Sequence, residues 1–83
     1  GLFVDIDGVV FHISALETAR LNVQKILQQQ PNGFTVSQFR ENLGITRKHA
    51  VPLLEALDRR AITKRNGDLR VGGARLNGEP FHV

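Results

Sequence analysis

Hydrophobic residues with a preference for β-strands dominate the start of the chain. Val, Ile, Leu and Phe fill most of residues 2–12, and the pair Asp7-Gly8 interrupts them. An Asp-Gly pair between two such runs is a strong signal for a hairpin with a two-residue turn. The pattern therefore predicts a short β-hairpin at the start of the chain.

From Ser14 onward the spacing of hydrophobic residues changes to that of a helix. Four apolar residues recur at intervals of three and four positions: Leu16, Ala19, Val23 and Ile26. Such a set forms one stripe along a helix. Ser14 and Glu17 also have the spacing of a capping box, in which the hydroxyl accepts a hydrogen bond from the third helical amide. We therefore predict a helix that is capped by Ser14 and ended by the Pro-Asn-Gly of residues 31–33.

A second, shorter helix and the start of a third follow closely. Thr35 and Gln38 again have the spacing of a capping box. The apolar stripe of this helix comprises Val36, Phe39 and Leu43. Gly44 suits the left-handed position at a helix end, and Thr46 can cap the next helix. Two helices joined by a short turn that contains Gly have the spacing of a helix-turn-helix.

The third helix is predicted to run from Arg47 to about Arg60. Its apolar side comprises Ala50, Leu53, Leu54, Leu57 and Ala61. At 100° per residue, the opposite side comprises Lys48, Pro52, Glu55 and Arg59. Pro52 removes a backbone hydrogen bond, so it either kinks this helix or moves the true start to a later residue.

A basic β-hairpin is predicted directly after the third helix, in residues 62–71. Asn66-Gly67 is the preferred dipeptide of a type I′ turn. The resulting register pairs Arg65 with Asp68, Lys64 with Leu69 and Thr63 with Arg70. A helix-turn-helix followed by such a hairpin has the element order of a winged helix. The predicted fold class is therefore mainly α (α+β): a winged helix-turn-helix of three helices and a β-hairpin wing, with an extra N-terminal hairpin.

The 83 residues have the length of one small domain, in three parts. Residues 1–13 form the N-terminal hairpin, or a junction with a preceding domain, and residues 14–71 form the winged helix. Residues 72–83 contain four Gly or Pro and no clear hydrophobic period, so we expect a loosely ordered tail. Since the chain contains no Met, we expect it to be a piece of a longer protein.

Composition and motifs argue against an enzyme. The absence of Cys excludes thiolate nucleophiles and Cys-containing zinc sites, and it fits a cytoplasmic protein. Asp5 and Asp7 resemble the first motif of haloacid-dehalogenase-type phosphatases, but so short and helical a chain cannot supply the parallel sheet and further acids that those enzymes need. The chain has no P-loop, and no two of its histidines have the spacing of metal ligands: His12, His49 and His82. We therefore expect a binding domain without catalytic residues, metal or cofactor.

Positive charge is concentrated in one part of the chain. The net charge is +3 and the isoelectric point is about 10.2. The span from Arg40 to Arg70 contains eight Lys or Arg residues and four acidic residues, whereas the rest contains three basic and four acidic residues. An excess of this kind suits a polyanionic partner such as a nucleic acid.

The charge is placed where a nucleic acid could bind. Arg47 and Lys48 stand at the positive end of the third helix, where the helix dipole opposes each cation by roughly 0.3–1 kcal/mol. Free amides, the dipole and cationic side chains together form an anion site there. The wing adds three further cations: Lys64, Arg65 and Arg70.

Residues 34–71 resemble a known family. The segments FRENLG, TRKHAVPLLEALD and ITKRNGDLRV are similar to the last winged-helix domain of SelB, the bacterial selenocysteine-specific elongation factor. The resemblance implies a GTP-binding factor that delivers selenocysteinyl-tRNA to the ribosome at UGA, and whose last winged helix grips the SECIS hairpin of the mRNA. By position, the resemblance places these residues at the RNA: Thr46, Arg47 and Lys48, with Arg65 and Arg70 in support and Arg40 as a further candidate.

We therefore predict a cytoplasmic, monomeric RNA-binding module. It should meet an RNA hairpin with its helix start and wing, because the A-form major groove is too narrow for a helix. One alternative is the DNA-binding winged helix of a transcription regulator, which usually dimerises on a palindrome. Another is a protein-interaction winged helix, whose binding would be insensitive to changing Arg47 and Lys48 together. No membrane contact is expected, since no apolar run approaches the ~20 residues that span a bilayer.

Overall fold

A computed structural model describes residues 2–81, so Gly1, His82 and Val83 lie outside the described residues. The elements in chain order are β1 (Phe3–Ile6), β2 (Val9–His12), α1 (Ile13–Gln29), α2 (Val36–Leu43), α3 (Arg47–Arg59), β3 (Thr63–Asn66) and β4 (Leu69–Gly72). The strands pair as two separate antiparallel hairpins, β1 with β2 and β3 with β4. This order is the predicted arrangement of three helices with a hairpin before and after them.

The N-terminal hairpin turns at Asp7-Gly8, as predicted. Both residues have positive φ, 51° and 82°, which is the conformation of a type I′ turn. The amide of Gly8 donates a hydrogen bond to Oδ1 of Asp5 at 3.0 Å. Because side chains alternate across a strand, one face of the hairpin carries Ile6 and Phe11, and both are buried in the core. Asp5 and Asp7 thus have a structural role in the turn.

α1 begins earlier than predicted. His12 is the N-cap residue, and the first helical residue is Ile13. The amide of Ser14 donates to Nδ1 of His12 at 3.1 Å, so an imidazole nitrogen replaces the expected hydroxyl acceptor. Glu17 forms an ion pair with Arg20, at 2.6 Å. The predicted capping box at Ser14 is therefore wrong.

The predicted stripe of α1 is buried, whereas that of α2 is buried at Phe39 and only partly buried at Val36 and Leu43. The stripe of α1 lies entirely in the core: Leu16, Ala19, Val23 and Ile26. The capping box of α2 is present, with the amide of Gln38 donating to Oγ1 of Thr35 at 3.1 Å and the amide of Thr35 donating to Oε1 of Gln38 at 2.9 Å. α2 ends at Gly44, whose φ of 68° is left-handed, as predicted. The rings of Phe34 and Phe39 stack inside the core, with centroids 6.1 Å apart.

α3 is the central helix, and it contacts α1, α2, β1 and β3. Its predicted apolar side is buried at Ala50, Leu53, Leu54 and Leu57. Pro52 was expected on the exposed side, but it is buried, because a helix with neighbours on several sides has little free surface. Ala61 was expected in the core, but it is exposed and lies beyond the helix end with a φ of 60°.

The wing has a different register from the predicted one. The strands pair Thr63 with Gly72, Lys64 with Val71, Arg65 with Arg70 and Asn66 with Leu69. The two-residue turn is therefore Gly67-Asp68 instead of Asn66-Gly67. Gly67, with a φ of 62°, stands at the first central position, which is the position of Gly in a type II′ turn. Each partner is displaced by two residues along β4, so every side chain keeps its predicted face.

The segment after β4 is docked onto the domain, contrary to the expectation of a loose tail. We call residues 73–81 the C-terminal strap. Nη1 of the buried Arg20 donates to the carbonyl oxygen of Leu76 at 3.0 Å. The amide of Phe81 donates to Oε1 of Glu17 at 3.0 Å. The hydrogen bonds that Arg20 donates to the Glu17 carboxylate raise the pKa of this arginine despite its burial, so it is charged when it holds the strap.

Candidate nucleic-acid interface

The start of α3 presents consecutive polar residues to solvent. Thr46 is the N-cap residue, and it is exposed together with Arg47, Lys48 and His49. The amides of His49 and Ala50 donate to the Thr46 carbonyl oxygen at 3.1 and 2.9 Å. The amides of Arg47 and Lys48 precede the first of these donors along the chain, so no carbonyl oxygen of the helix accepts a hydrogen bond from them. Two open amides and two cations therefore lie together at the positive end of the helix dipole.

Thr46 occupies the predicted cap position without making the predicted cap bond. Its side chain accepts no backbone amide of α3, and Oγ1 lies 3.1 Å from Nδ1 of His49. His49 stands where a capping box has Glu or Gln, so the hydroxyl pairs with an imidazole. The Thr46 hydroxyl consequently stays at the surface beside the two cations.

The N-terminal hairpin supports this first turn of α3. The imidazole of His49 packs edge-on against Phe11 of β2, with ring centroids 6.0 Å apart. Phe11 is itself buried in the core. Sequence reasoning missed this contact because no local spacing rule connects residues so far apart in the chain.

The charge at the helix start is not neutralised by nearby acids. The first turn of α3 contains no acidic residue, and neither Arg47 nor Lys48 forms an ion pair within residues 2–81. Arg40 differs, because its guanidinium lies 3.6 Å from the carboxylate of Glu41. Arg40 stands in the last turn of α2, before the turn that leads to Thr46. Its charge is therefore partly offset.

The exposed cations of the wing lie on opposite faces of β3. Cross-strand partners share a face and neighbouring residues alternate, so Arg65 shares a face with Thr63 and Arg70. Lys64 lies on the other face. Nε of Arg65 donates to the carbonyl oxygen of Gly67 at 3.4 Å, which directs this side chain toward the turn.

Arg70 lies in the interior, although the sequence placed it among the candidate contacts. It is 8% exposed, and Nη2 donates to Oδ2 of Asp58 at 3.0 Å. Its backbone pairs with that of Phe34, with N–O distances of 2.8 and 3.0 Å. This arginine holds the wing onto the domain, so we leave it out of the interface.

The remaining candidates come from two ends of one helix. Thr46, Arg47 and Lys48 are together at the start of α3, whereas the wing begins beyond its last residue, Arg59. A helix of 13 residues is about 20 Å long, so about this distance separates the two groups of candidates.

Within residues 2–81, no group of three His, Asp or Glu side chains is placed to hold a metal ion. None of the helices in this range is long and apolar enough to cross a membrane.

Comparison with known proteins identifies the family. A family model described as the winged helix of elongation factor SelB matches residues 25–71, more than half of the 83 residues. The chain belongs to the SelB winged-helix family. The matched range contains the last five residues of α1, the helix-turn-helix and the basic wing of this SelB domain except Gly72. The N-terminal hairpin and the C-terminal strap lie outside it.

A solved structure supports the same fold. This SelB domain is similar to the mRNA-binding domain of elongation factor SelB from E. coli, which was solved in complex with SECIS RNA. The TM-score is 0.74 and the sequence identity is 23%, and the match covers 88% of this chain and 60% of the E. coli chain. A search of curated proteins found no match. The predicted winged-helix fold and the resemblance to SelB are confirmed.

Proposed function

We propose that this SelB winged helix binds the SECIS hairpin of an mRNA and so takes part in selenocysteine incorporation at UGA codons. The observation that carries the proposal is the pair of exposed, unpaired cations, Arg47 and Lys48, at an open helix start in a domain of this family. The E. coli mRNA-binding domain of similar fold, solved with SECIS RNA, supports RNA over DNA as the ligand.

The geometry at the helix start suits a phosphate group of the RNA backbone. The amides of Arg47 and Lys48 can donate to its oxygens, as can the Thr46 hydroxyl, while the two side chains supply positive charge. Lys64 and Arg65 of the wing add a second contact, with Arg40 as a further candidate. Because phosphate contacts dominate affinity, binding should weaken as salt displaces the RNA. Sequence specificity then requires contact with unpaired loop bases.

The role within the whole factor is a proposal from family membership. The parent protein would be a cytoplasmic GTPase that brings selenocysteinyl-tRNA to the ribosome. The 83 residues contain no P-loop, so their part in that task is binding, without catalysis or a cofactor. We propose that the domain binds its RNA as a monomer, since each hairpin offers one apical loop.

The test is to measure binding to three nucleic acids over a series of salt concentrations. These are a SECIS-type RNA hairpin, the same hairpin with its apical loop replaced, and a DNA duplex of equal length. We expect preference for the intact hairpin and loss of affinity in the Arg47→Ala/Lys48→Ala variant. The matched control is Lys25→Ala/Arg59→Ala, which removes the same charge from exposed positions elsewhere and should retain binding.

Two outcomes would contradict the proposal, and each identifies an alternative. Equal binding to all three nucleic acids, or preference for the DNA duplex, indicates a general or DNA-directed winged helix. If the Arg47→Ala/Lys48→Ala variant binds no worse than its matched control, the basic helix start is incidental, as in a protein-interaction domain.

A further inference from the structure

The side chains of Thr46 and His49 are coupled at the start of α3. Oγ1 of the threonine lies 3.1 Å from Nδ1 of the histidine, and the hydroxyl accepts no backbone amide of the helix. Both residues are exposed. Histidine is the side chain whose charge ordinarily changes between pH 5 and 8. The protonation of the imidazole therefore decides where the single hydrogen of the hydroxyl can point.

The imidazole is held beside the hydroxyl by contacts on two sides. The amide of His49 donates to the carbonyl oxygen of Thr46 at 3.1 Å, which fixes the backbone of the pair. The ring packs edge-on against Phe11, with centroids 6.0 Å apart, and Phe11 is buried in the core. The orientation of the ring is thus supported by the N-terminal hairpin as well as by α3.

The helix elements around His49 give it cations as neighbours. The first acid that follows it on α3 is Glu55, six residues later, and within residues 2–81 the imidazole forms no ion pair. The charged residues nearest to it in sequence on α3 and at the end of α2 are two cations and one ion pair: Arg47 and Lys48, and Arg40 with Glu41. The helices therefore supply no acid that pairs with a protonated imidazole.

The titratable residues of the N-terminal hairpin do not share the face that contacts His49. Phe11 pairs with Val4, and side chains alternate between the two faces of a strand. The face opposite to Phe11 therefore carries two titratable residues, Asp5 and His12, and Asp7 stands in the turn. A phosphate bound at the start of α3 would supply the negative charge that favours the protonated imidazole.

We propose that His49 is a positioning residue that couples RNA binding to the uptake of one proton. When Nδ1 of the neutral ring is the acceptor, it takes the only hydrogen of the Thr46 hydroxyl. In the imidazolium both ring nitrogens donate, so Nδ1 donates to Oγ1 and the hydroxyl can donate to a phosphate oxygen. The ring also adds a positive charge beside Arg47 and Lys48. The inference rests on the proposed function, since the phosphate belongs to the RNA held at the start of α3.

The test is to measure affinity for the SECIS-type RNA hairpin from about pH 5.5 to about pH 8, at constant ionic strength and with an RNA that has no terminal phosphate. We expect the affinity of the wild-type domain to be about five- to tenfold higher at the acidic end, because a charged donor binds an acceptor more strongly than a neutral one. His49→Gln should bind equally at every pH, with the affinity of wild type at the alkaline end. Gln at this position restores the spacing of a capping box with Thr46, so the helix start should remain folded.

Variants of Thr46 separate the proposed coupling from the charge of the ring alone. Thr46→Val keeps the imidazole but has no hydroxyl, so it should lose part of the pH dependence, and Thr46→Ser should restore it. The controls are the two other histidines of the chain, since His12→Asn and His82→Gln should both keep the wild-type profile. Asn is a favoured N-cap residue, so His12→Asn should preserve the start of α1. Circular dichroism over the same pH range establishes that each variant is folded.

Three results would overturn the inference: a flat profile for wild type, the same pH dependence in His49→Gln, or an unchanged profile in Thr46→Val. In each of these cases, loss of binding in the Arg47→Ala/Lys48→Ala variant would still support the proposed function. Absence of hairpin binding at every pH would contradict both proposals.

Discussion

Arg70 and Asp58 form the link between the wing and α3, with Nη2 of the arginine 3.0 Å from Oδ2 of the aspartate. Thr63 donates from its hydroxyl to the other carboxylate oxygen, so one side chain of α3 binds both strands of the wing. The Arg70 and Asp58 side chains are only 10% and 25% exposed. Nε of Arg70 is buried and has no partner within the described residues, so Asp58 is the group that compensates its charge.

Removing the carboxylate should therefore destabilise the domain. We expect Asp58→Ala to lower the free energy of unfolding by about 2–3 kcal/mol, somewhat less than for a fully buried pair, because Arg70 is left without its counter-charge. Urea unfolding monitored by circular dichroism measures this loss. Glu55→Ala is the matched control on the same helix, since Glu55 has no ion pair in the described part of the chain and should change stability by less than about 0.5 kcal/mol. Equal effects of the two substitutions would mean that the link carries little stability.

The two arginines that face each other across the wing should differ in their effect on RNA binding. Arg65 is exposed and Arg70 is buried. At a temperature where each variant is fully folded, Arg65→Ala should weaken hairpin binding and lower the magnitude of the salt slope by about 1, because one phosphate contact is lost. Arg70→Ala should unfold more readily but retain the wild-type salt slope. A reduced slope for Arg70→Ala would place its guanidinium at the RNA after all.

Local spacing rules predicted what depends on neighbours in sequence. The stripe from Leu16 to Ile26 follows from the helical period, and the Thr35 box from a three-residue interval. The assignment of side chains to the two faces of the wing also follows from the alternation along a strand. This assignment is correct although the predicted register is displaced by two residues, because a shift of two residues leaves each side chain on the same face. The position of Arg70 does not follow, because its burial is set by Asp58 on another element.

Other features depend on contacts that local patterns do not contain. Ser14 lies inside α1 because the helix begins two residues earlier than predicted, with the His12 imidazole as acceptor for the Ser14 amide. Pro52 is buried because α3 packs against several elements at once. The C-terminal strap has no hydrophobic period, yet its backbone is bound by the Arg20 and Glu17 side chains of α1. The candidate cations at the start of α3 were predicted, since charge at a helix end is visible in the sequence alone.

Gly33, in the turn between α1 and α2, should tolerate substitution poorly. Its φ is 121°, and an added Cβ would lie 2.8 Å from the carbonyl oxygen of Arg70. We expect Gly33→Ala to lower the free energy of unfolding by about 2–3 kcal/mol, from backbone strain together with the clash. Gly67 provides the comparison, because it also has positive φ but has open space around it. Gly67→Ala should lower the free energy of unfolding by only about 1 kcal/mol, from backbone strain alone. Chemical denaturation measures both variants, and the difference between their losses is the contribution of the steric clash at Gly33.

The cations at the start of α3 should lower the stability of the domain, although they favour binding of RNA. Arg47 and Lys48 oppose the helix dipole and have no compensating acid in the first turn. Replacing both by Ala should therefore raise the free energy of unfolding by roughly 0.6–2 kcal/mol, twice the effect of one cation, while hairpin affinity falls. Thermal unfolding at low ionic strength shows the gain most clearly, because salt screens it. A variant that loses both stability and affinity would indicate that these side chains support the fold instead.

The buried ion pair of α1 should be more sensitive to loss of its acid than to replacement of the whole pair. Glu17→Ala leaves the Arg20 guanidinium, whose side chain is 6% exposed, without its counter-charge, so we expect a loss of about 3 kcal/mol. Replacing both residues, as Arg20→Met/Glu17→Leu, removes the buried charge together with its partner and should cost less, although the strap loses two hydrogen bonds. Glu17 raises the pKa of Arg20 in the folded state. The ion pair therefore contributes its full free energy of unfolding at every pH below the ordinary pKa of arginine. That contribution is lost only as the pH rises through the higher pKa of the folded state. The difference between wild type and Glu17→Ala should therefore be constant from neutral to mildly alkaline pH, and a decline over that range would show that another group titrates in its place.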